Sequence, residues 1–298
     1  MKIFDCFMFY DEEMLLDIRL NILNKYVDKF IIVESTYTHS GKERKLVFNI
    51  KNFQKFQNKI IYHVVDKKPK GLEEVNIYDT DHIKENKVIM NAVRFENGQR
   101  HAIGKLLKLA EPNDQIIVSD LDEIPNLDNI NFSQIKSKIV LFRQKMYYYK
   151  FNLLLENMIW CGSKSCKMKD FLYPQWLREI KDKKYPIWRL DTLFSKKKYN
   201  NVHFVDDGGW HFTNIKTPEE IDKKLRSYMH HPEYDQSNIG PKEIDQMIKE
   251  KKPVYDLMAN SSEVKDRSNT KLKVTSVNEL PHFIRINQNK YNQWILKN

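Results

Sequence analysis

The sequence predicts an α/β protein with a mostly parallel sheet, flanking helices on both faces, and an irregular, helix-containing C-terminal part. Short apolar segments alternate with helical segments through the first third of the chain. Strand and helix in alternation favour parallel pairing, because a parallel crossover is usually made by a helix. The composition, with 41% hydrophobic and 12% aromatic residues, is typical of a chain that buries a core and is not disordered.

The elements of the first half can be assigned in order from apolar periodicity and from the residues that flank each segment. Acids at 11–13 favour a helix start, since negative charge is stabilised at a helix N-terminus. The predicted elements are a strand at 3–10, a helix from 11 to 23, a strand at 30–33, a short helix around Phe53 and Phe56, a strand at 60–65, a long helix at 86–110, and a strand at 116–118.

The second half is less regular. Apolar segments at 139–142 and 146–151 precede turn-rich sequence, and a helix is expected from Thr217, which combines a capping residue, a proline and acids. We expect one main domain over residues 1–235. Residues 236–298 are predicted to be a C-terminal extension packed on that domain.

The net charge of +10 suits an anionic partner, although it is also what a lysine-rich solvated surface produces. No uninterrupted Lys/Arg segment is longer than residues 196–198, so we expect no nucleic-acid partner. The first ten residues are not a signal peptide, and no apolar segment is long enough to span a bilayer. We therefore expect a cytoplasmic protein that is soluble or at most peripheral to a membrane.

The strongest local signal is the acidic segment Asp120–Glu123, which directly follows an apolar strand. Ligands of parallel sheets bind beyond the carboxyl ends of the strands. Carboxylates at positions 120 and 122 project to the same side of an extended chain, and their oxygens suit Mn²⁺ or Mg²⁺. The segment therefore indicates a metal site, with a solvated acidic turn before Pro125 as the alternative.

Further candidate residues lie in three other segments. His211, which follows Gly208 and Gly209, is either a further metal ligand or a structural histidine. The two glycines permit close backbone approach or unusual dihedral angles. Arg94, Gln99 and Arg100 lie on the long helix, where arginines either bind a phosphate or a carboxylate or belong to a solvated helix face. Glu34 and His39 follow a strand and are expected at the same edge of the sheet.

Linked motifs in a fixed order extend this interpretation. They are Phe4–Glu12, Leu16–Asn21, Val27–Ser35, Thr38–Gly41, Gln99–Arg100, Ser119–Pro125 and Gly209–Phe212. Together they resemble glycosyltransferase family 17, over about residues 3 to 235. The resemblance implies that residues 1–235 are the catalytic domain and that the extension at 236–298 lies on the acceptor side. The resemblance implies a GT-A-like nucleotide-sugar-binding fold, UDP-N-acetylglucosamine as donor, and a β linkage formed with inversion on a glycan, glycoprotein or glycolipid acceptor.

The resemblance also implies roles for individual residues. Asp120 and Asp122 would hold Mn²⁺ or Mg²⁺ against the diphosphate, His211 would be the distal metal ligand, and Glu34 and Arg100 would lie near the nucleotide. Inversion requires a carboxylate base. Asp207 is the first candidate because it is close in sequence to His211, and Glu233 and Glu179 are its rivals.

Two other functions are also compatible with these residues. A metal-dependent phosphodiesterase or nuclease would use the same acids, but two-metal sites usually need a denser cluster of ligands than nine scattered histidines suggest. A non-catalytic glycan-binding protein could use the same scaffold, since fold does not determine function. Four aromatic residues could stack on sugars or pack in the core: Tyr173, Trp176, Trp188 and Trp210.

Overall fold

Two β-sheets share one hydrophobic core in the computed structural model, which describes residues 1–186, 188–227, 234, 238–254 and 271–297. The strands are β1 Ile3–Phe9, β2 Lys29–Ser35, β3 Ile60–Val65, β4 Gln115–Val118, β5 Glu123–Pro125, β6 Ile139–Phe142, β7 Gln144–Tyr148, β8 Leu153–Trp160, β9 Lys164–Lys167, β10 Val202–Val205, β11 Gly209–Thr213 and β12 Leu272–Val274.

The helices lie between and after these strands. They are α1 Glu13–Leu23, α2 Asp81–Leu106, α3 Pro174–Glu179, α4 Asp191–Phe194, α5 Pro218–Ser227, α6 Pro241–Glu250 and α7 His282–Ile286. Short 3₁₀ segments occupy Ile50–Phe56, Leu107–Leu109, Met168–Asp170, Val277–Glu279 and Asn292–Trp294. No helix in the described part of the chain is both long enough and apolar enough to cross a bilayer.

The larger sheet has the order β10-β6-β9-β4-β1-β2-β3. All neighbouring strands in it are parallel except at β9, which runs antiparallel to β4 and β6. The smaller sheet has the order β12-β8-β7-β11-β5. This arrangement confirms the predicted α/β class with a mostly parallel sheet.

Helices cover both faces of the larger sheet, as its sequence pattern requires. In β1, Phe7 and Phe9 pack with the apolar face of α1, whereas Phe4 and Cys6 pack with α2 and α3 on the opposite face. Successive side chains of a strand point to opposite faces. A strand buried on both sides therefore has to be apolar at nearly every position, as residues 3–9 are.

The predicted elements of the first half are present, with small shifts at their ends. The long helix begins at Asp81 instead of residue 86, because the Thr80 side chain accepts a hydrogen bond from the Ile83 amide and caps it. The helix predicted from Thr217 is present as α5, and Thr217 and Glu220 bond reciprocally at its start. Sequence patterns did not reveal β5 or β8 to β12 as strands.

The last described segment, residues 271–297, is part of the same core. β12 pairs with β8, and Leu280, Ile284 and Tyr291 are buried against residues of α1 and β7. The C-terminal segment thus completes the hydrophobic core that the first strand and the first helix begin.

One buried arginine joins α1 to the loop that follows β4. Arg19 is fully buried and its guanidinium donates to both carboxylate oxygens of Asp5, at 2.8 and 2.6 Å. The same group donates to the backbone carbonyls of Asp120, Leu121 and Glu123, at 3.0, 3.1 and 2.8 Å. Nη2 also donates to the Ser119 hydroxyl at 2.5 Å, so every nitrogen of the guanidinium has an acceptor.

We predict that Arg19→Met lowers the free energy of unfolding by about 3–5 kcal/mol, because it leaves the buried Asp5 charge without a partner. Urea denaturation followed by circular dichroism measures the change. The control is Lys25→Met, whose exposed pair with Asp128 is expected to contribute at most about 1 kcal/mol. Equal losses in the two variants would contradict the prediction.

Candidate active site

A cavity of about 270 Å³ opens where β1 and β4 end. Its wall includes Glu12 after β1, Asp120 and Asp122 after β4, and His211 on β11. The carboxyl ends of neighbouring parallel strands meet at one edge of a sheet, which brings these residues together. The cavity therefore lies where the sequence predicted a ligand site.

Backbone pairing between β5 and β11 brings His211 to Asp122. His211 lies opposite Glu123 in this antiparallel ladder, and the Phe212 amide donates to the Asp122 carbonyl at 2.8 Å. The imidazole Nε2 is 3.6 Å from Asp122 Oδ2. Two side chains far apart in sequence thus face each other within the cavity.

The two glycines before His211 allow this pairing, as the sequence predicted. Gly209 has a φ of +129°, and a Cβ on it would lie 2.1 Å from the Ile124 carbonyl oxygen. A Cβ on Gly208 would lie 2.6 Å from the Val205 carbonyl oxygen and 2.7 Å from the Arg143 amide nitrogen. Neither site has room for a side chain, so β11 reaches β5 only with glycine at both positions.

Asp120 lies between two arginines. Arg178 donates to its Oδ2 at 2.8 Å and Arg100 to its Oδ1 at 3.1 Å. Arg100 is also held by Glu96 at 2.7 Å and by the Gln175 side chain at 2.5 Å. Both carboxylate oxygens of Asp120 are therefore occupied by guanidinium groups from α2 and α3.

Glu123 fixes the other side of this network. Its buried carboxylate accepts from the Asp120 amide at 2.7 Å, from Trp160 Nε1 at 2.6 Å and from Arg178 at 3.0 Å. A Cβ on Gly162 would lie 2.2 Å from the Glu123 carboxyl carbon. Glycine at 162 is thus required for the Glu123 side chain to reach its partners.

The charges around the two aspartates keep both ionised. Burial alone would raise the pKa of Asp120, but Arg178 and Arg100 outweigh it and hold that pKa below its ordinary value. Burial also acts to raise the pKa of Asp122, whereas His211 and Lys224 lower it well below the usual range. The cavity therefore contains two carboxylates that are ionised at neutral pH.

The residues at Asp122 fit a hard divalent cation. A carboxylate oxygen and an imidazole nitrogen at 3.6 Å form one edge of a coordination shell of the type that Mn²⁺ accepts. In the described part of the chain, however, no three side chains of His, Cys, Asp or Glu form a ready-made cage. Asp122 and His211 would thus hold the ion, and Asp120, engaged by two arginines, would support the loop.

A second group of charges borders Asp122. Lys224 Nζ lies 3.6 Å from Glu12 Oε1 and 3.8 Å from Asp122 Oδ2. Lys216 contacts Asp11 and lies 3.8 Å from Glu12. Burial acts to raise the pKa of Glu12, but the two lysines outweigh it and lower that pKa. Glu12 is therefore a third ionised carboxylate in the cavity wall.

The predicted nucleotide contacts divide into two groups. His39, Gln99 and Arg100 line the cavity. Glu34 does not, since its buried carboxylate accepts from the Val47 and Phe48 amides, from Tyr62 and from Arg44. Arg94 pairs with Glu73 at 2.7 Å, outside the cavity wall.

The predicted bases lie away from the cavity wall or outside the described residues. The Asp207 side chain is 85% exposed, in a turn near Lys145. Glu179 pairs with Lys197 in a separate surface cavity. Glu233 lies outside the described residues. The choice among them therefore stays a prediction.

Sequence reasoning missed several residues of the cavity and its supports. No role was given to Glu12, although it follows β1 as Asp120 follows β4. Arg178, Lys224 and Trp160 carry no local motif, so no pattern indicated them. Among the four aromatic candidates for a sugar platform, Trp176 is buried and Trp210 donates to the Glu279 carbonyl, and none of the four lines the cavity.

Comparison with known proteins agrees with the motif pattern. The sequence model of glycosyltransferase family 17 matches residues 1–297. The β-1,4-mannosyl-glycoprotein 4-β-N-acetylglucosaminyltransferases of Homo sapiens and Rattus norvegicus are each 28% identical to this chain over 125 residues, and that of Mus musculus is 27% identical. These alignments cover 41% of this chain but 21% of each relative. Because the family match extends over nearly the whole chain, the protein belongs to glycosyltransferase family 17.

Proposed function

We propose that this protein is an inverting, metal-dependent N-acetylglucosaminyltransferase that uses UDP-N-acetylglucosamine and forms a β linkage to a glycan hydroxyl. The observation that carries the proposal is the approach of Asp122 to His211 in a cavity at the strand ends. Family membership supports the reaction class, and the names of the relatives support the donor sugar. The acceptor would be a glycan, free or carried by a protein or a lipid.

The cavity residues suit a sugar diphosphate. Asp122 and His211 would hold Mn²⁺ or Mg²⁺, which as a Lewis acid would offset charge on the departing diphosphate. Arg100 and Arg178 support the loop by binding Asp120. Trp160 also lines the cavity, and its ring centroid lies 5.2 Å from that of His211, so a sugar at the ion would meet an aromatic side chain.

In the proposed displacement, the acceptor oxygen bonds to the anomeric carbon while the bond from that carbon to the diphosphate oxygen breaks on the opposite face. The acceptor proton passes to a carboxylate, and UDP leaves. We propose Glu12 as this base ahead of Asp207, because Glu12 lines the cavity and is ionised, whereas Asp207 lies in an exposed turn. Glu233 remains a further candidate.

The alternative functions draw less support. A nuclease with two metal ions needs more ligands than the Asp122–His211 pair supplies among the described residues. A non-catalytic glycan-binding protein would not need ionised, partly buried carboxylates in its binding cavity, since maintaining them carries a desolvation cost.

We predict that UDP-N-acetylglucosamine binds in the presence of Mn²⁺ and that EDTA abolishes this binding. Asp122→Asn should weaken the Mn²⁺-dependent binding by about 100-fold or more, above the 10–100-fold typical of a residue that only supports a ligand. Isothermal titration calorimetry gives both affinities. Asp245→Asn, a change on the exposed side of α6, is the matched control. Binding that is unchanged by EDTA would overturn the metal dependence.

The donor sugar requires its own comparison. We expect UDP-N-acetylglucosamine to bind more tightly than UDP-glucose under the same Mn²⁺ conditions, since the proposal assigns the N-acetyl group a place in the cavity. Equal affinities in the same calorimeter would remove the N-acetylglucosamine assignment while leaving the reaction class intact.

Two variants test the base. Glu12→Gln should lower kcat by about 10²–10⁴-fold, the usual contribution of a general base, while the affinity for the donor changes little. Asp207→Asn should keep most of the turnover. Measuring UDP release with a set of glycan acceptors gives kcat for both. If Asp207→Asn loses turnover and Glu12→Gln does not, the role returns to Asp207.

A further inference from the structure

Positive charge is concentrated in one short surface segment, residues 181–198. It contains six lysines and one arginine against two aspartates, so its formal charge is 7 − 2 = +5. The whole chain carries +10. Half of the net charge of 298 residues is thus carried by these 18 residues, which we call the basic segment.

Large apolar side chains of the basic segment are turned to solvent. Trp188 is 81%, Leu190 71% and Phe194 89% exposed. Scattered single apolar residues are ordinary on a protein surface, but several together that are rimmed by polar residues indicate a binding surface. These three residues lie within seven positions of one another and have lysines on both sides in the sequence.

The basic segment is attached to the fold. Tyr185 and Thr192 are buried, Trp176 Nε1 donates to the Lys196 carbonyl at 2.5 Å, and Lys197 pairs with Glu179. Asp191 binds Arg189 and Lys198, each at 2.7 Å. The backbone of the basic segment is therefore held against the protein, while its Trp188 and Phe194 side chains lie outside the core.

Several of its charges are not compensated. Lys181, Lys183, Lys184 and Lys196 are all exposed, and none of them forms an ion pair within the described residues. Lysines of this kind, around exposed tryptophan and phenylalanine, are what the interface of an anionic bilayer attracts: the ammonium groups meet lipid phosphates and the rings enter the headgroup region.

We propose that the basic segment docks the enzyme on an anionic lipid surface. The lysines alone would bind any polyanion. The largely exposed side chains of Trp188 and Phe194, however, gain free energy of burial only if they enter an apolar phase such as the interior of a bilayer. The basic segment begins directly after α3, whose Arg178 binds Asp120. Docking would hold the cavity close to the bilayer, within reach of a glycan carried by a lipid.

Vesicle flotation tests the proposal on the full chain. Vesicles of phosphatidylcholine with about one third phosphatidylglycerol should carry the protein to the top of the gradient, and vesicles of phosphatidylcholine alone should not. Lys184→Gln/Lys196→Gln should weaken binding by about 30-fold, at about fivefold for each lysine near an anionic surface. Trp188→Ser/Phe194→Ser should weaken it by at least about tenfold.

Matched controls are available elsewhere on the chain. Lys67→Gln/Lys70→Gln removes two exposed lysines, and Ile77→Ser/Tyr78→Ser removes two exposed apolar side chains, which are 84% and 91% exposed. Both control variants should float as the wild type does. Circular dichroism melting of every variant establishes that the fold is retained.

Three outcomes would overturn the proposal. Equal flotation with neutral and anionic vesicles would remove the role of charge. Equal losses in the control variants would remove the role of this segment. Binding that soluble heparin or RNA competes away completely, and that Trp188→Ser/Phe194→Ser leaves unchanged, would identify a soluble polyanion as the partner instead of a membrane.

Discussion

The arrangement of the candidate site depends on the buried guanidinium of Arg19. An arginine in the core would be unfavourable without full pairing. Here Asp5 supplies the opposite charge, three carbonyls of the 119–123 loop accept from Nη1, and the Ser119 hydroxyl accepts from Nη2. The interaction requires α1, β1 and the loop after β4 to meet at one point. Since Asp120 and Asp122 belong to that loop, the position of both carboxylates follows from packing on the first helix.

Further charged pairs surround the loop that Arg19 holds. Arg178 and Arg100 approach Asp120 from α3 and α2, and Glu123 accepts from Arg178 and Trp160. Each charged group in the network has a partner of the opposite sign, which is the condition for keeping such groups buried. The consequence for the cavity is a negatively charged centre at Asp122 with cationic groups around it, an environment that would suit the metal ion and diphosphate of the proposed function.

Elements and site residues that depend on a local sequence pattern could be predicted from the sequence, whereas those that depend on contacts between distant parts of the chain could not. The strands at 3–9 and 30–33 were predictable because strands buried on both faces are apolar at nearly every position, and the acids after β4 were predictable because they follow a strand directly. Residues such as Arg178 and Lys224 were not, since their roles arise from tertiary contacts that leave no local pattern. Glu34 looked like a site residue from its position at a strand end, yet its carboxylate serves the 44–48 loop. Strands β9 to β12 escaped prediction because each is short and pairs with a strand that is distant in sequence. The longer β8 escaped because the polar residues Glu156 and Asn157 interrupt its apolar sequence.

The pairing of β5 with β11 has a consequence for how such chains can change in length. The separation of Asp122 from His211 is set by a hydrogen-bonded ladder and by two glycines that admit no side chain. The number of residues between them does not enter that geometry. Insertions or deletions in exposed stretches such as the one at Ser133 and Gln134 can therefore accumulate over evolution, or be engineered, without altering the spacing of the two side chains. The length of the interval between the two motifs and the geometry of the centre are thus independent properties of this chain.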